Sequence, residues 1–189
     1  MNKSQPTALI PFIEQLKKLN SSKNTDEYNI EKVSLILKEW LKNKDWLKAD
    51  FYTVDPQTGF SSWLLHEEQD HSLAVTLVSW EPEREITPHD HKTWSVVGCV
   101  KGIEENYLWT RLDNGSKEGY AHIEREKTVV RCHPGDTISF YPDDIHSVKN
   151  ISDDVAISLH VYGRNLNYTN RFKYNPETRK SELFIVDFK

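Results

Sequence analysis

Cysteine is scarce in this chain of 189 residues, which has only Cys99 and Cys132. Two cysteines without paired spacing exclude a disulfide-built scaffold and a thiolate zinc site, so both are expected to be reduced, buried thiols. Long apolar runs are also missing. No stretch is long enough to span a bilayer, and the opening MNKSQPTALIPF lacks the apolar segment of a secretory signal. The expected location is the cytosol, with no membrane partner. Basic charge is in deficit: Lys and Arg number 24 against 29 Asp and Glu, a formal net charge of -5. Nucleic acid and anionic lipid both select basic surfaces, so neither is an expected partner. Small molecules or proteins are, with the chain itself a monomer or a weak homo-oligomer. Internal repeats and low-complexity tracts are absent as well, and the length fits a single domain spanning residues 1–189.

What is present falls into two parts. In residues 1–50 apolar side chains recur at three- and four-residue steps, in PFIEQLKKL and then at Ile30, Val33, Leu37, Trp40 and Leu41. That period belongs to amphipathic helices, which predicts two helices packed on whatever follows. Asn24 and Glu27 have the spacing of a capping box and would start the second helix just after the polar SSKNT stretch. In residues 51–189 the pattern changes to short runs rich in Val, Ile, Thr, Trp and Tyr. These are HSLAVTLVSW, WSVVGCV, TVVRC, DTISFY, VAISLHVYG and ELFIVDF, separated by Gly, Pro, Asn and Asp. Such runs predict an all-β sandwich or barrel, and the lack of helices between them argues against a parallel α/β sheet.

The chemistry begins at PHDHKTW. His89 and His91 are two residues apart ahead of an extended run, and residues at that spacing share a face, so both imidazoles can point at one ion. Downstream, HPGDTISFYPDDIHSVKN supplies His146 after a Gly-Asp turn, a strand and a second turn. This arrangement resembles the two signature motifs of the cupin superfamily, mainly β proteins built as a double-stranded β-helix, or jelly-roll barrel. His89, His91 and Gly102 fit the first motif, with Ser95 where most metal cupins carry a glutamate. Gly135, His146 and Asn150 fit the second, with the proline one place late at Pro142. The resemblance implies that His89, His91 and His146 hold a metal. Three neutral imidazoles without the acid leave the ion its full charge and open positions, which favours an anionic ligand such as a thiolate.

A fuller resemblance runs over about residues 60–172 and is strongest in DDIHSVKNISDDVAISLHVYGRN. It is to the cysteine dioxygenase family, the thiol dioxygenases among the cupins, and within it to the bacterial 3-mercaptopropionate dioxygenase branch. The resemblance implies an iron(II) enzyme that adds both atoms of dioxygen to the sulfur of a small carboxylate-bearing thiol, 3-mercaptopropionate or L-cysteine, to give a sulfinic acid. It implies that Ser158, His160 and Tyr162, alternating on one strand, form a hydrogen-bonded relay, with the Tyr162 hydroxyl presented to substrate. Arg171, nine residues after Tyr162, is implied as the clamp on the substrate carboxylate, with Arg164 as an alternative. Animal cysteine dioxygenases use instead an arginine in a segment aligning with FSSWLL, where this chain has Ser62 or Trp63. Their cross-linking cysteine corresponds to Ser95, so no thioether cofactor is expected.

Other readings of the same residues remain. The histidines alone fit a non-catalytic or differently reacting metal-binding cupin, such as a ligand sensor, an isomerase or a hydrolase. His66, His71, His122 and His133 have no partner at ligand spacing and read as surface or core histidines. Asp143 and Asp144 read as the turn that aims His146.

Overall fold

The computed structural model describes residues 6–20 and 24–189; residues 1–5 and 21–23, in the opening segment and the polar stretch ahead of the second helix, lie outside it. Helix α1 spans Ile10–Asn20 and helix α2 spans Asp26–Trp40. The apolar stripe read from the sequence is buried: Phe12, Ile13 and Leu16 on α1, Val33 and Leu37 on α2. The cap of α2 differs from the expected box. Thr25 is the N-cap, its hydroxyl accepting from the Tyr28 N–H at 3.3 Å. Glu27 therefore sits one place too early to reach back to the cap, and with Asp26 it favours the helix start through the macrodipole instead. Asn24 serves α1: its side-chain amide donates to the Leu19 carbonyl at 3.1 Å, satisfying an end-of-helix acceptor.

Ten strands follow: β1 (Phe60–Glu67), β2 (Ala74–Trp80), β3 (Ser95–Lys101), β4 (Glu104–Arg111), β5 (Ile123–Cys132), β6 (Thr137–Phe140), β7 (Ile145–Asn150), β8 (Ala156–Tyr162), β9 (Phe172–Asn175) and β10 (Lys180–Leu183). They form a five-stranded sheet in the order β1-β2-β8-β3-β6, a three-stranded sheet β5-β4-β7, and the pair β9-β10. Neighbours run antiparallel, and β8 sits between β2 and β3 far from it in sequence. That crossover makes the chain a cupin jelly roll with two N-terminal helices.

The five-stranded sheet is buried on both faces. Ile157, Leu159 and Val161 of β8 join Leu65, Val75, Leu77 and Val96 in one apolar cluster with α1 and α2. Alternation then turns Ser158, His160 and Tyr162 to the opposite face, into the barrel. The helices thus cover the outside of the sheet whose inside carries the polar residues. Two motif glycines make the turns that bring the strands back. Gly135 has φ +98° between β5 and β6. Gly102, between β3 and β4, has φ +80°, and a Cβ there would lie 2.7 Å from that of Ala156.

The sequence runs do not include β4. Its inward positions are polar, with Glu104 and Asn106 each only 2% exposed, so hydrophobic periodicity does not mark it. The final run, ELFIVDF, is a strand only as far as Leu183. Beyond it the ladder with β9 ends, and Phe184, Val186 and Phe188 line a cavity of the barrel. Among the described residues no helix is long and apolar enough to cross a membrane.

Candidate metal centre and substrate pocket

The three histidines of the motifs converge from two places in the barrel. His89 lies between β2 and β3 on a segment that pairs with β7, and it exchanges both backbone hydrogen bonds with His146, at 2.9 and 3.0 Å. His91 follows two residues on. Its Nε2 is 3.3 Å from that of His146, and one ring nitrogen from each of the three lies within 4.8 Å of the others. The opposite nitrogens are all engaged. Nδ1 of His89 meets the Thr87 carbonyl at 3.0 Å, that of His91 the Ser95 hydroxyl at 2.9 Å, and that of His146 the Asn106 side-chain oxygen at 3.3 Å. Because the Thr87 carbonyl and the Asn106 oxygen only accept, His89 and His146 carry their proton on Nδ1 and leave Nε2 bare.

Burial also keeps these rings neutral. It takes the His89 pKa down to about 3, with Arg171 adding to the effect. His91 and His146 are held well below the usual histidine value, first by burial and then by neighbouring histidines and Arg171. Lone pairs that face one another in a buried site, with the other nitrogens already bonded, make a donor set that fits a divalent cation. Ser95, in the place where the cupin motif carries glutamate, is a hydroxyl that orients His91.

Next to the cluster, β8 carries a continuous hydrogen-bonded chain. The Ser158 hydroxyl meets His160 Nε2 at 2.9 Å, and His160 Nδ1 meets the Tyr162 hydroxyl at 2.8 Å. Burial lowers the His160 pKa to about 3 and raises that of Tyr162 to about 12. The Tyr162 ring stands edge-on to His91 with centroids 5.3 Å apart. Tyr162 and His160 line the same cavity as the three histidines.

Arg171 lines that cavity too and is 3% exposed. Its Nε donates to the Phe184 carbonyl at 3.1 Å, and its guanidinium lies 4.0 Å from the Phe184 ring centre. Burial lowers its pKa to about 10, with Tyr162 and Asp90 opposing. Among the described residues no carboxylate forms an ion pair with it. Asp90, fully buried between His89 and His91, accepts from the Phe172 N–H at 2.7 Å and from the Tyr174 hydroxyl at 2.5 Å. It thereby ties β9, and with it Arg171, to the histidine segment. Arg164 is exposed and bonds the Tyr168 carbonyl at 3.0 Å, outside the cavity.

Ser62 lines the cavity, while Trp63 belongs to the helix-facing core. His66 and His71 pair with Glu68 and Glu67. Neither they nor His122 and His133 join the cluster. Asp144 accepts from the Tyr141 N–H at 2.7 Å in the turn before β7, and Asp143 meets Lys92 at 2.7 Å. Cys99 and Cys132 are free and buried.

Two features were missed from the sequence. Glu104 is a buried carboxyl beside Ser158, on a strand that the apolar pattern does not mark. The other is the segment after β10, where Phe184, Val186 and Phe188 roof the cavity. Asn167 pins it by bonding both the N–H and the carbonyl of Val186, at 3.0 and 2.9 Å, and the Lys189 N–H reaches the Ser62 carbonyl at 2.9 Å. Alternation of large apolar residues in FIVDF was the available signal for an extended segment with one buried face. Beside this segment the cavity measures about 50 Å³.

The family model for cysteine dioxygenase type I matches residues 1–175. Among solved structures, KdgF from Halomonas sp. is 18% identical, with 59% of this chain and 84% of that chain covered at a TM-score of 0.44. The DMSP lyase DddQ from Ruegeria pomeroyi DSS-3 is 20% identical, with 69% and 57% covered at a TM-score of 0.46. An oxalate oxidase in complex with the substrate analogue glycolate is 13% identical, with 65% and 61% covered at a TM-score of 0.45. The chain spans less than two thirds of the length of the lyase and of the oxidase.

Proposed function

The chain belongs to the cysteine dioxygenase type I family, and from that premise we propose that it is an iron(II)-dependent thiol dioxygenase whose substrate is a small thiol acid of the 3-mercaptopropionate type. The observation that carries the reading is Arg171, a buried guanidinium with no carboxylate partner among the described residues, facing the same cavity as the three histidines. A buried, unpaired cation is unfavourable by several kcal/mol unless an anion joins it, roughly the scale of a buried pair broken at one end. A substrate carboxylate supplies that anion and forms a charge-assisted, bidentate contact.

The cavity lining also speaks to the substrate. It contains no Asp or Glu, and its walls include Phe60, Val78, Ile86, Val148 and Leu166. An ammonium group would be desolvated there without a counter-charge, which disfavours L-cysteine relative to the thiol acid lacking it. The small volume restricts the choice further, to thiols with short chains.

Each group then has a task. His89, His91 and His146 would hold iron(II), which when bound would supply a redox-active centre through which electrons pass from a thiolate to dioxygen. Arg171 fixes the carboxylate and so sets where the sulfur lies. Tyr162, held by His160, directs a hydroxyl at the reacting oxygens and stabilises charge developing on them. Phe184, Val186 and Phe188 exclude water. Both oxygen atoms end on sulfur, and the electrons that sulfur loses are those dioxygen takes up, so no external reductant enters.

Oxygen uptake by anaerobically iron-loaded protein tests this, with 3-mercaptopropionate, cysteine, cysteamine and mercaptosuccinate supplied in parallel and sulfinate quantified. Uptake should match sulfinate one for one and be most efficient with 3-mercaptopropionate. No uptake with any thiol, despite bound iron, would overturn the reading. Tyr162→Phe should keep its metal while sulfinate formation falls by about 10²-fold, the usual loss when one preorganised donor is removed. Unchanged turnover in that variant would remove Tyr162 from the chemistry.

A further inference from the structure

Near the Ser158 end of the β8 chain lies a further buried carboxyl. Glu104, at the start of β4, is 2% exposed, and its Oε1 makes no hydrogen bond. Ser158 and the Trp80 indole approach the carboxyl closely enough to favour its charged form, and the Trp80 N–H also donates to the Ser158 hydroxyl at 3.1 Å. A buried carboxyl whose Oε1 has no partner, close to the Ser158 end of a hydrogen-bonded chain that leads into a cavity, calls for an explanation other than packing. We propose that Glu104 is a fourth member of the Ser158–His160–Tyr162 chain, a positioning residue whose proton sets the direction in which its hydrogen bonds run.

The donor and acceptor inventory allows two closed arrangements. With Glu104 ionised, Ser158 donates to the carboxylate and accepts from Trp80 and from His160 Nε2–H. His160 Nδ1 is then bare and accepts from Tyr162, so the tyrosine proton is turned away from the cavity. With Glu104 protonated, its O–H donates to Ser158, and Ser158 donates to His160 Nε2. His160 then carries its proton on Nδ1 and donates to the Tyr162 oxygen, which frees the Tyr162 O–H to donate into the cavity. The two states differ by one proton on Glu104 and by the tautomer of His160, and every other group keeps its proton count.

Of the groups around this carboxyl, only Glu104 changes charge near neutrality. Burial pushes its pKa up to about 7, with Ser158 and Trp80 opposing. The thiols that face it, Cys99 on β3 and Cys132 on β5, are pushed up by burial and by Glu104 itself, Cys132 to about 12. Lys44 and Asp136 act on those thiols rather than on the carboxyl. On β8, His160 is held at about 3 and Tyr162 at about 12, so His160 stays neutral and changes only its tautomer. The raised pKa of Glu104 means that the cavity-donating state dominates below about pH 7 and gives way above it.

The catalytic consequence rests on the dioxygenase reading, but the switch itself does not. Side-chain ¹⁵N NMR of His160 in the zinc-loaded, diamagnetic protein reads the tautomer directly. From about pH 5 to about pH 9 the wild type should pass from the Nδ1–H to the Nε2–H form with one midpoint near neutrality, while Glu104→Gln should hold a single tautomer throughout. A constant tautomer in the wild type, or an unchanged midpoint in Glu104→Gln, would overturn the proposal. In the iron-loaded protein the same variant should lose the basic limb of the kcat profile near pH 7, which a purely structural glutamate would not produce. A tautomer switch without thiol oxidation would leave the relay assignment standing and remove the dioxygenase reading alone.

Discussion

Replacing His91 with alanine should leave the purified protein without bound iron and take sulfinate formation below detection. His91 sits at the centre of the cluster, 2% exposed, with Nε2 3.3 Å from that of His146 and Nδ1 held by Ser95. Two imidazoles do not make a closed set for a six-coordinate ion, and no acidic residue joins the described cluster to take the vacant place. Loss of a hydrogen-bond partner of a ligand alone lowers metal affinity by about 10–100-fold, so loss of the ligand should exceed that range. The variant should still fold, because the apolar cluster between the helices and the sheet does not include His91. Metal analysis after iron loading, with circular dichroism on the same sample, gives the answer. Full iron occupancy in folded His91→Ala protein would mean that another set of residues binds the metal. His66→Ala, at a histidine outside the cluster, should leave iron content unchanged.

Arg171→Met should lower kcat/KM for 3-mercaptopropionate by about 10²- to 10³-fold while the melting temperature holds or rises. The two halves of this expectation have one cause. Removing one partner of a buried charged pair costs about 2–5 kcal/mol, and about 1.4 kcal/mol is a factor of ten. In the free protein, however, the guanidinium is buried without a carboxylate partner among the described residues, and burial lowers its pKa to about 10. An apolar side chain of similar length relieves that desolvation and keeps the packing of the arginine stem. Cysteamine, which has no carboxylate, should show little change in KM in the same variant. If 3-mercaptopropionate and cysteamine weaken equally, or if the variant melts several degrees lower, Arg171 is a structural residue and the carboxylate is held elsewhere.

The sequence carried the residues of the candidate site but not all of their surroundings. His89 and His91 were legible because a spacing of two in extended backbone leaves no choice of face, and His146 because the Gly135 turn and strand β6 fix how far the chain travels before it returns. The relay was legible as alternation in SLHVY. Thr25 took the helix cap because its hydroxyl, one place later than Asn24, was the one in register with the Tyr28 N–H. Glu104 was not legible, because a polar residue on a strand looks solvent-facing until the other sheet is known to lie over it. ELFIVDF read as a strand from its composition, since nothing local tells whether a partner strand will be present at Phe184.

By itself, then, the sequence determined the periodicities: two amphipathic helices, a chain of short strands, three histidines and an alternating Ser-His-Tyr set on shared faces. These follow from backbone geometry within a few residues, which local sequence specifies. The tertiary structure alone decided which groups were left without partners. It placed Arg171 in the cavity and Arg164 in solvent, lined the cavity with Phe184, Val186 and Phe188 from the end of the chain, and set Glu104 near Ser158. Those outcomes depend on desolvation by elements distant in the chain, and desolvation is a property of the packed molecule that no window of sequence contains.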